Sequence, residues 1–164
     1  MPAPGTTALL LPLPAADPLL TVARGLDPAS VRPGIPAHIT LAYPFVPATA
    51  EVFEQVRALL RPVPPLVLTE LRTTPGFVGV LAPEVVPLAD AVRDRWPEPR
   101  PYGGRFGDRP TPHLTVALDP ADAGAIAGAV RPLLPLRAVA ERVSLVELTG
   151  TGWMARFVTA LPSA

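Results

Sequence analysis

The sequence contains no cysteine, which excludes disulfide scaffolds, thiolate nucleophiles, iron–sulfur clusters and cysteine-bound zinc. Lysine is absent too: all fourteen cations are arginine, and fourteen acidic residues balance them to a formal net charge of zero. A chain without excess charge does not grip long nucleic acid through its overall field, which leaves a small nucleotide or an RNA end held by local groups. No apolar run approaches the roughly 20 residues of a membrane span. With the missing cysteine, this leads us to expect a cytoplasmic protein with no membrane partner, monomeric by default. The opening TTALLLPLP has the look of a signal peptide but lacks a basic leader, and prolines and Asp17 interrupt or follow it. It reads as a first strand, Thr6 to Leu13.

What is present is globular. At 164 residues, 49% hydrophobic and 17% charged, the chain has the size for one domain or two small lobes sharing a core. The 25 prolines fall mostly between apolar segments, where they punctuate turns. A short helix is expected over Leu19 to Arg24, then a linker, GLDPASVRPGIPA. HITLAYPF, His38 to Phe45, has β character and is closed by Pro47. Thr49 to Leu60 has helical spacing in Val52, Val56, Leu59 and Leu60, with Thr49 placed to cap it. Leu66 to Leu71 and Phe77 to Leu81 read as strands separated by RTTPG. A second helix runs from Pro83 or Glu84 to Trp96. The segment 97–112, PEPRPYGGRFGDRPTP, is a long aperiodic loop, a length that usually has a function. HLTVALD from His113 is a strand, Ala121 to Leu134 a third helix, and strands cover Arg137 to Leu148 and Trp153 to Leu161.

The order after each histidine repeats. HITLAYPF leads to a helix ending VRALL, then VLTEL, a turn and FVGVLAP; HLTVALD leads to a helix ending VRPLL, then VSLVEL, a turn and ARFVTALP. A duplicated strand–helix–strand–strand lobe explains this economically. Two such lobes facing each other across a pseudo-twofold axis would bring His38 and His113 together, although they lie 75 positions apart.

These are the only two histidines, and each opens the same tripeptide: His38-Ile39-Thr40 and His113-Leu114-Thr115. Residues i and i+2 of a strand share a face, so each lobe presents one imidazole beside one hydroxyl. Imidazole exchanges protons near neutrality. Two imidazoles flanking a phosphorus centre can activate a nucleophile and protonate a leaving oxygen, while the threonine hydroxyls donate to non-bridging oxygens. A lone strand histidine is often a structural hydrogen-bonding group, but the repeated tripeptide in repeated lobes argues against that role. A metal site joining the histidines through Asp108 or Asp119 lacks any recognised ligand spacing. No P-loop, dinucleotide fingerprint or serine elbow is present, so no metal or organic cofactor is expected.

The chain resembles the 2H phosphoesterase superfamily, specifically the bacterial 2′-5′ RNA ligase-like family with its cyclic phosphodiesterases. The resemblance rests on PAHITLAYPF (36–45), PYGGRFGDRPTPHLTVA (101–117) and the helix–strand–strand segments around them, and it covers nearly the whole chain. It implies an α+β, bilobal duplicated fold in a single domain, two antiparallel sheets flanking a central cleft with helices outside. His38 and His113 would be the acid–base pair and Thr40 and Thr115 the phosphate-binding hydroxyls of a paired His-x-Thr motif. Family activities include opening 2′,3′-cyclic phosphates, opening ADP-ribose cyclic phosphate, and joining or cleaving 2′-5′ RNA linkages. The expected partner is therefore a small cyclic nucleotide or an RNA terminus.

One departure stands out: the second motif runs on as VALD, ending at Asp119, where relatives often carry arginine. Arg105 and Arg109 of the long loop are candidates to compensate, with solvation as their alternative. Tyr43 and Phe45 are expected on the face of the catalytic pair, one of them stacking a base and Phe45 more suited to the core. Tyr102 and Trp153 are further candidates for substrate contact. A nucleotide- or RNA-end-binding protein without turnover is the competing function. The residues do not assign acid and base between the two histidines.

Overall fold

A computed structural model describes residues 2–163. Strand β1 (Thr7–Pro12) alternates Ala8 and Leu10 on one face with Leu9 and Leu11 on the other. It leads through a tight turn at Pro14–Ala16 into helix α1 (Asp17–Leu26), which carries proline in its first turn, where the missing N–H costs nothing. Strand β2 (His38–Ala42) and helix α2 (Ala50–Leu59) follow; the Thr49 hydroxyl accepts from Val52 N at 3.1 Å and caps the helix. Next come β3 (Leu66–Leu68), β4 (Leu71–Thr74), β5 (Phe77–Leu81) and α3 (Val86–Arg95). The chain ends with β6 (His113–Leu118), α4 (Ala123–Val130), β7 (Leu136–Ala138), β8 (Arg142–Thr149) and β9 (Gly152–Ala160).

Among the described residues the strands form an antiparallel seven-stranded sheet in the order β4-β5-β6-β2-β1-β8-β9, and a two-stranded sheet of β3 and β7. The large sheet is two half-sheets meeting at a seam between β2 and β6, where Ile39 pairs with Leu114. Helices cover one face: α1 packs on α4 and β6, α3 on β2, α4 on β4 and β5, and α2 on α3 and β9. One continuous core fills that layer, with Leu9, Leu11, Ile39, Leu114 and Leu145 fully buried. At roughly 1.5–3 kcal/mol per buried aliphatic side chain, that layer is the main source of the fold's stability. The other face carries the small cluster of Ala8, Leu10 and Val146, with Tyr43 and Trp153 packed against it.

Several element boundaries differ from the sequence expectation. The expected strand Leu66–Leu71 is two strands in two sheets, because Val67 N donates to Glu84 Oε2 at 2.8 Å and holds β3 toward the start of α3. Arg72 to Thr74 belong to β4, so RTTPG shrinks to the two-residue turn Pro75-Gly76. Arg137–Leu148 likewise splits into β7 and β8. The third helix ends at Val130 in a tight turn over Arg131–Leu133, where Pro132 cannot continue the helical hydrogen bonding. The first helix is longer than expected at both ends.

The repeat is also longer than it reads from the histidines. β1, a proline turn, α1, β2, α2 and β3 recur as β5, a proline turn, α3, β6, α4 and β7. The signature of the added portion is Pro14-x-x-x-Pro18-Leu19 against Pro83-x-x-x-Pro87-Leu88, with both leucines buried.

Candidate active site

The seam fixes the geometry of the two tripeptides. Because β2 and β6 run antiparallel with Ile39 opposite Leu114, His38 falls opposite Thr115 and Thr40 opposite His113. Side chains directly opposite in such a pair stand about 5 Å apart at Cβ and diagonal ones about 7–8 Å. The four form a square on the open face, each imidazole beside the hydroxyl of the other half, while Ile39 and Leu114 anchor the opposite face in the core.

A β-bulge follows each tripeptide. The β1–β2 register passes from Leu10↔Thr40 to Leu9↔Ala42, leaving Leu41 extra. The β5–β6 register passes from Gly79↔Thr115 to Val78↔Ala117, leaving Val116 extra. Each extra residue reverses the alternation beyond it, and so returns Tyr43 in one half and Leu118 in the other to the cleft. Tyr43 thus reaches the face expected for it. Phe45 does not: it lies in the core, edge-on to Trp96 at 5.0 Å.

Both imidazoles are oriented by backbone. Nδ1 of His38 lies 2.8 Å from the Pro36 carbonyl oxygen, and Nδ1 of His113 lies 3.0 Å from that of Thr111. A carbonyl only accepts, so each Nδ1 carries the proton and each Nε2 is left to exchange one. Burial holds both imidazoles below their ordinary pKa, against the opposing pull of these carbonyl contacts. The positive charge of Arg32 adds to the lowering at His38, and Arg72 and His38 itself add to it at His113. His113 is 6% exposed, and its Nε2 is buried with no protein partner.

A cleft of about 230 Å³ opens on this face, lined by His38, Thr40, Thr115, Tyr43, Arg105 and Trp153, with Arg32 and Tyr102 also on its wall. Tyr43 and Trp153 meet edge-on at 6.1 Å. Arg105 donates to Gly76 O at 2.8 Å and pairs with Asp119 at 3.4 Å. A Cβ on Gly76 would stand 3.1 Å from both side chains, so glycine is what lets the guanidinium settle there. Asp119 itself lies just past the end of β6. Asp108 pairs with Arg100 at 3.7 Å, so both aspartates weighed as metal ligands are engaged by arginine.

The sequence profile of the 2′-5′ RNA ligase superfamily matches residues 12–152. The chain belongs to that superfamily. No curated protein matches it significantly. Among solved structures it is similar to a phosphoesterase at 17% identity, with TM-score 0.66 over 98% of this chain and 100% of the other. It is also similar to E. coli LigT complexed with NADP+ at 17% identity, with TM-score 0.66 over 99% and 100% of the two chains. LigT complexed with 3′-AMP matches at 19% identity, TM-score 0.61, over 98% and 100%. These likenesses establish the LigT-like α+β fold.

Within this superfamily member the remaining candidates separate. Tyr102 and Arg105 reach the cleft. Arg109 does not line it: the guanidinium bonds Asp90 at 3.1 Å and Asp94 at 2.5 Å on α3, and pins the long loop to that helix. Those two carboxylates, Asp94 foremost, raise its already high pKa. Burial pushes the Tyr102 phenol up to about 12, so it is a donor at working pH. Sequence reasoning missed Arg32, which lies in the linker before His38, and Phe106 and Phe77, whose rings meet His113 at 5.2 Å each. Phe106 had a weak signal, an aromatic inside a glycine-rich loop; Arg32 had none.

Proposed function

We propose that this superfamily member hydrolyses a ribonucleotide phosphodiester, either a 2′,3′-cyclic phosphate or a related 2′-5′ linkage, by paired-histidine catalysis without a metal. Both histidines hold Nδ1–H on a backbone carbonyl and so offer Nε2 on the same face as two hydroxyls. This observation carries the reading. One neutral imidazole takes a proton from water as the water oxygen bonds to phosphorus. The other, protonated, gives its proton to the departing oxygen as that P–O bond breaks, the ribose 3′ oxygen of a cyclic phosphate or the 5′ oxygen of a 2′-5′ linkage, leaving a 2′-phosphate. Thr40 and Thr115 donate to the non-bridging oxygens, and Arg105 and Arg32 supply positive charge at the cleft wall. Tyr43 and Trp153 offer flat apolar surface to a base. The nucleotides bound by the solved LigT structures, 3′-AMP and ATP among them, agree in size with such a substrate.

A nucleotide-binding role without turnover has one observation in its favour, the burial of His113 Nε2. Nucleoside 2′,3′-cyclic phosphates, ADP-ribose cyclic phosphate and 2′-5′ dinucleotides, incubated with the protein in chelator and followed by phosphorus NMR, separate the two. Conversion that is lost in both His38→Ala and His113→Ala is the expected result. Binding without conversion of any of them favours the second role, and full activity in both variants overturns the histidine assignment.

A further inference from the structure

The two histidines do not open onto the same space. The cleft described above contains His38. A second chamber of about 300 Å³, between α3, the long loop and β2, is lined by His113 together with Ala89, Trp96, Asp108 and Arg109. Thr40, Tyr43 and Tyr102 border both chambers. Tyr102 is the side chain between them. Its ring lies over the His113 ring at 5.7 Å and 30°. Phe106 closes the edge, at 5.0 Å from Tyr102 and 5.2 Å from His113.

The backbone beneath this cover is a glycine-rich loop held at both ends. Tyr102 has φ 52°, in the left-handed region that a side chain disfavours, and Gly103, Gly104 and Gly107 also have positive φ. Fixed points bracket the segment. Arg93 bonds the Pro99 carbonyl before it, and Arg109 grips Asp90 and Asp94 after it. Between them Tyr102 N donates to Tyr43 O at 2.7 Å, Arg105 donates to Gly76 O and pairs with Asp119, Arg100 pairs with Asp108, and Phe106 packs on Phe77.

We infer that Tyr102 is a gate over His113: its ring covers the imidazole whose buried Nε2 a substrate phosphate must reach, and it swings aside when the site loads. The inference rests on the reading of His113 as one of the catalytic pair. When the ring swings out, the two chambers join and both Nε2 atoms face one cleft, as a two-sided attack on phosphorus requires. In the closed form His38 lines the open cleft, whereas Nε2 of His113 is covered.

Carbethoxylation by diethyl pyrocarbonate, mapped by peptide mass spectrometry, reads this directly because neutral, accessible Nε2 is what reacts. In the wild-type protein His113 is expected to react at least about tenfold more slowly than His38, and in Tyr102→Ala the two rates converge. Tyr102→Leu removes the flat ring with a smaller loss of packing, and is expected to raise the His113 rate several-fold; it decides the matter if the alanine variant fails to fold by circular dichroism. Equal reactivity of the two histidines in wild type overturns the gate, as does a His113 that stays protected in folded Tyr102→Ala. Protection unchanged in folded Tyr102→Leu overturns the gate likewise. These outcomes are independent of turnover: if no phosphodiester is cleaved yet Tyr102→Ala unmasks His113, the hydrolase reading falls and the gate stands.

Discussion

His38 and His113 make the same contact: each donates from Nδ1 to the carbonyl oxygen two residues upstream, at 2.8 Å and 3.0 Å. The contact sits immediately before a strand begins, so the backbone sets the tautomer. Nitrogen NMR of labelled protein above neutral pH is expected to show both rings protonated at Nδ1 and bare at Nε2. An Nε2–H tautomer at either ring would remove the base that the hydrolytic reading needs.

The two imidazoles also fix the direction of pH dependence. Burial lowers both below the ordinary 6.5, so the folded chain refuses protons that the unfolded chain accepts. Stability therefore falls as pH drops from about 6.5 toward the depressed folded values, and the contribution is fully regained above about 6.5. Melting temperature is expected to be lower at about pH 5 than at about pH 7.5, with a smaller difference in His113→Asn. In the proposed hydrolysis one ring is neutral and the other protonated, so kcat/KM is expected to peak on the acid side of 6.5. A peak on the basic side would contradict the lowering.

The threonines are separable from the fold. Both are half-buried on the open face, and valine keeps the branched shape that suits a strand. Thr40→Val and Thr115→Val are each expected to cut kcat/KM by roughly 10²-fold with little change in melting temperature, while serine at either position restores much of the rate. A loss confined to KM would recast the hydroxyls as uniform binding groups.

Gly79 lies opposite Thr115 at the bulge of β6. A Cβ there would overlap the Phe77 ring and stand 3.0 Å from the Leu114 carbonyl oxygen, a backbone atom that cannot give way. Gly79→Ala is expected to destabilise the protein by about 1–3 kcal/mol, read as a lower melting temperature. Because Phe77 packs edge-on against His113, the variant should also shift the His113 ring resonances.

Much of this site is legible in the sequence because its logic is local. A histidine and a threonine two apart on a strand share a face whatever surrounds them, and the paired motif announces two related strands. What stayed hidden depends on partners distant in the chain. Leu66–Leu71 reads as one strand, since nothing in those six residues shows that Glu84 will hold Val67 apart. The earlier start of the repeat hides in proline spacing at 14–19 and 83–88, where the two apolar patterns differ. The bulges at Leu41 and Val116 have no glycine on their own strands to mark them, yet they decide that Tyr43 and Leu118 face the cleft. Arg32 meets His38 only through the fold of its linker.

The order β4-β5-β6-β2-β1-β8-β9 has a consequence for synthesis. The half holding His113 is made from one unbroken stretch, β4 to β6, whereas the half holding His38 joins the first strands to the last. When a ribosome has delivered both His-x-Thr tripeptides, β1 is still a bare edge awaiting β8. The nascent chain thus carries all four side chains of the proposed site well before it can hold them square. Maturation of the first motif waits on the final twenty-odd residues, long after its own translation.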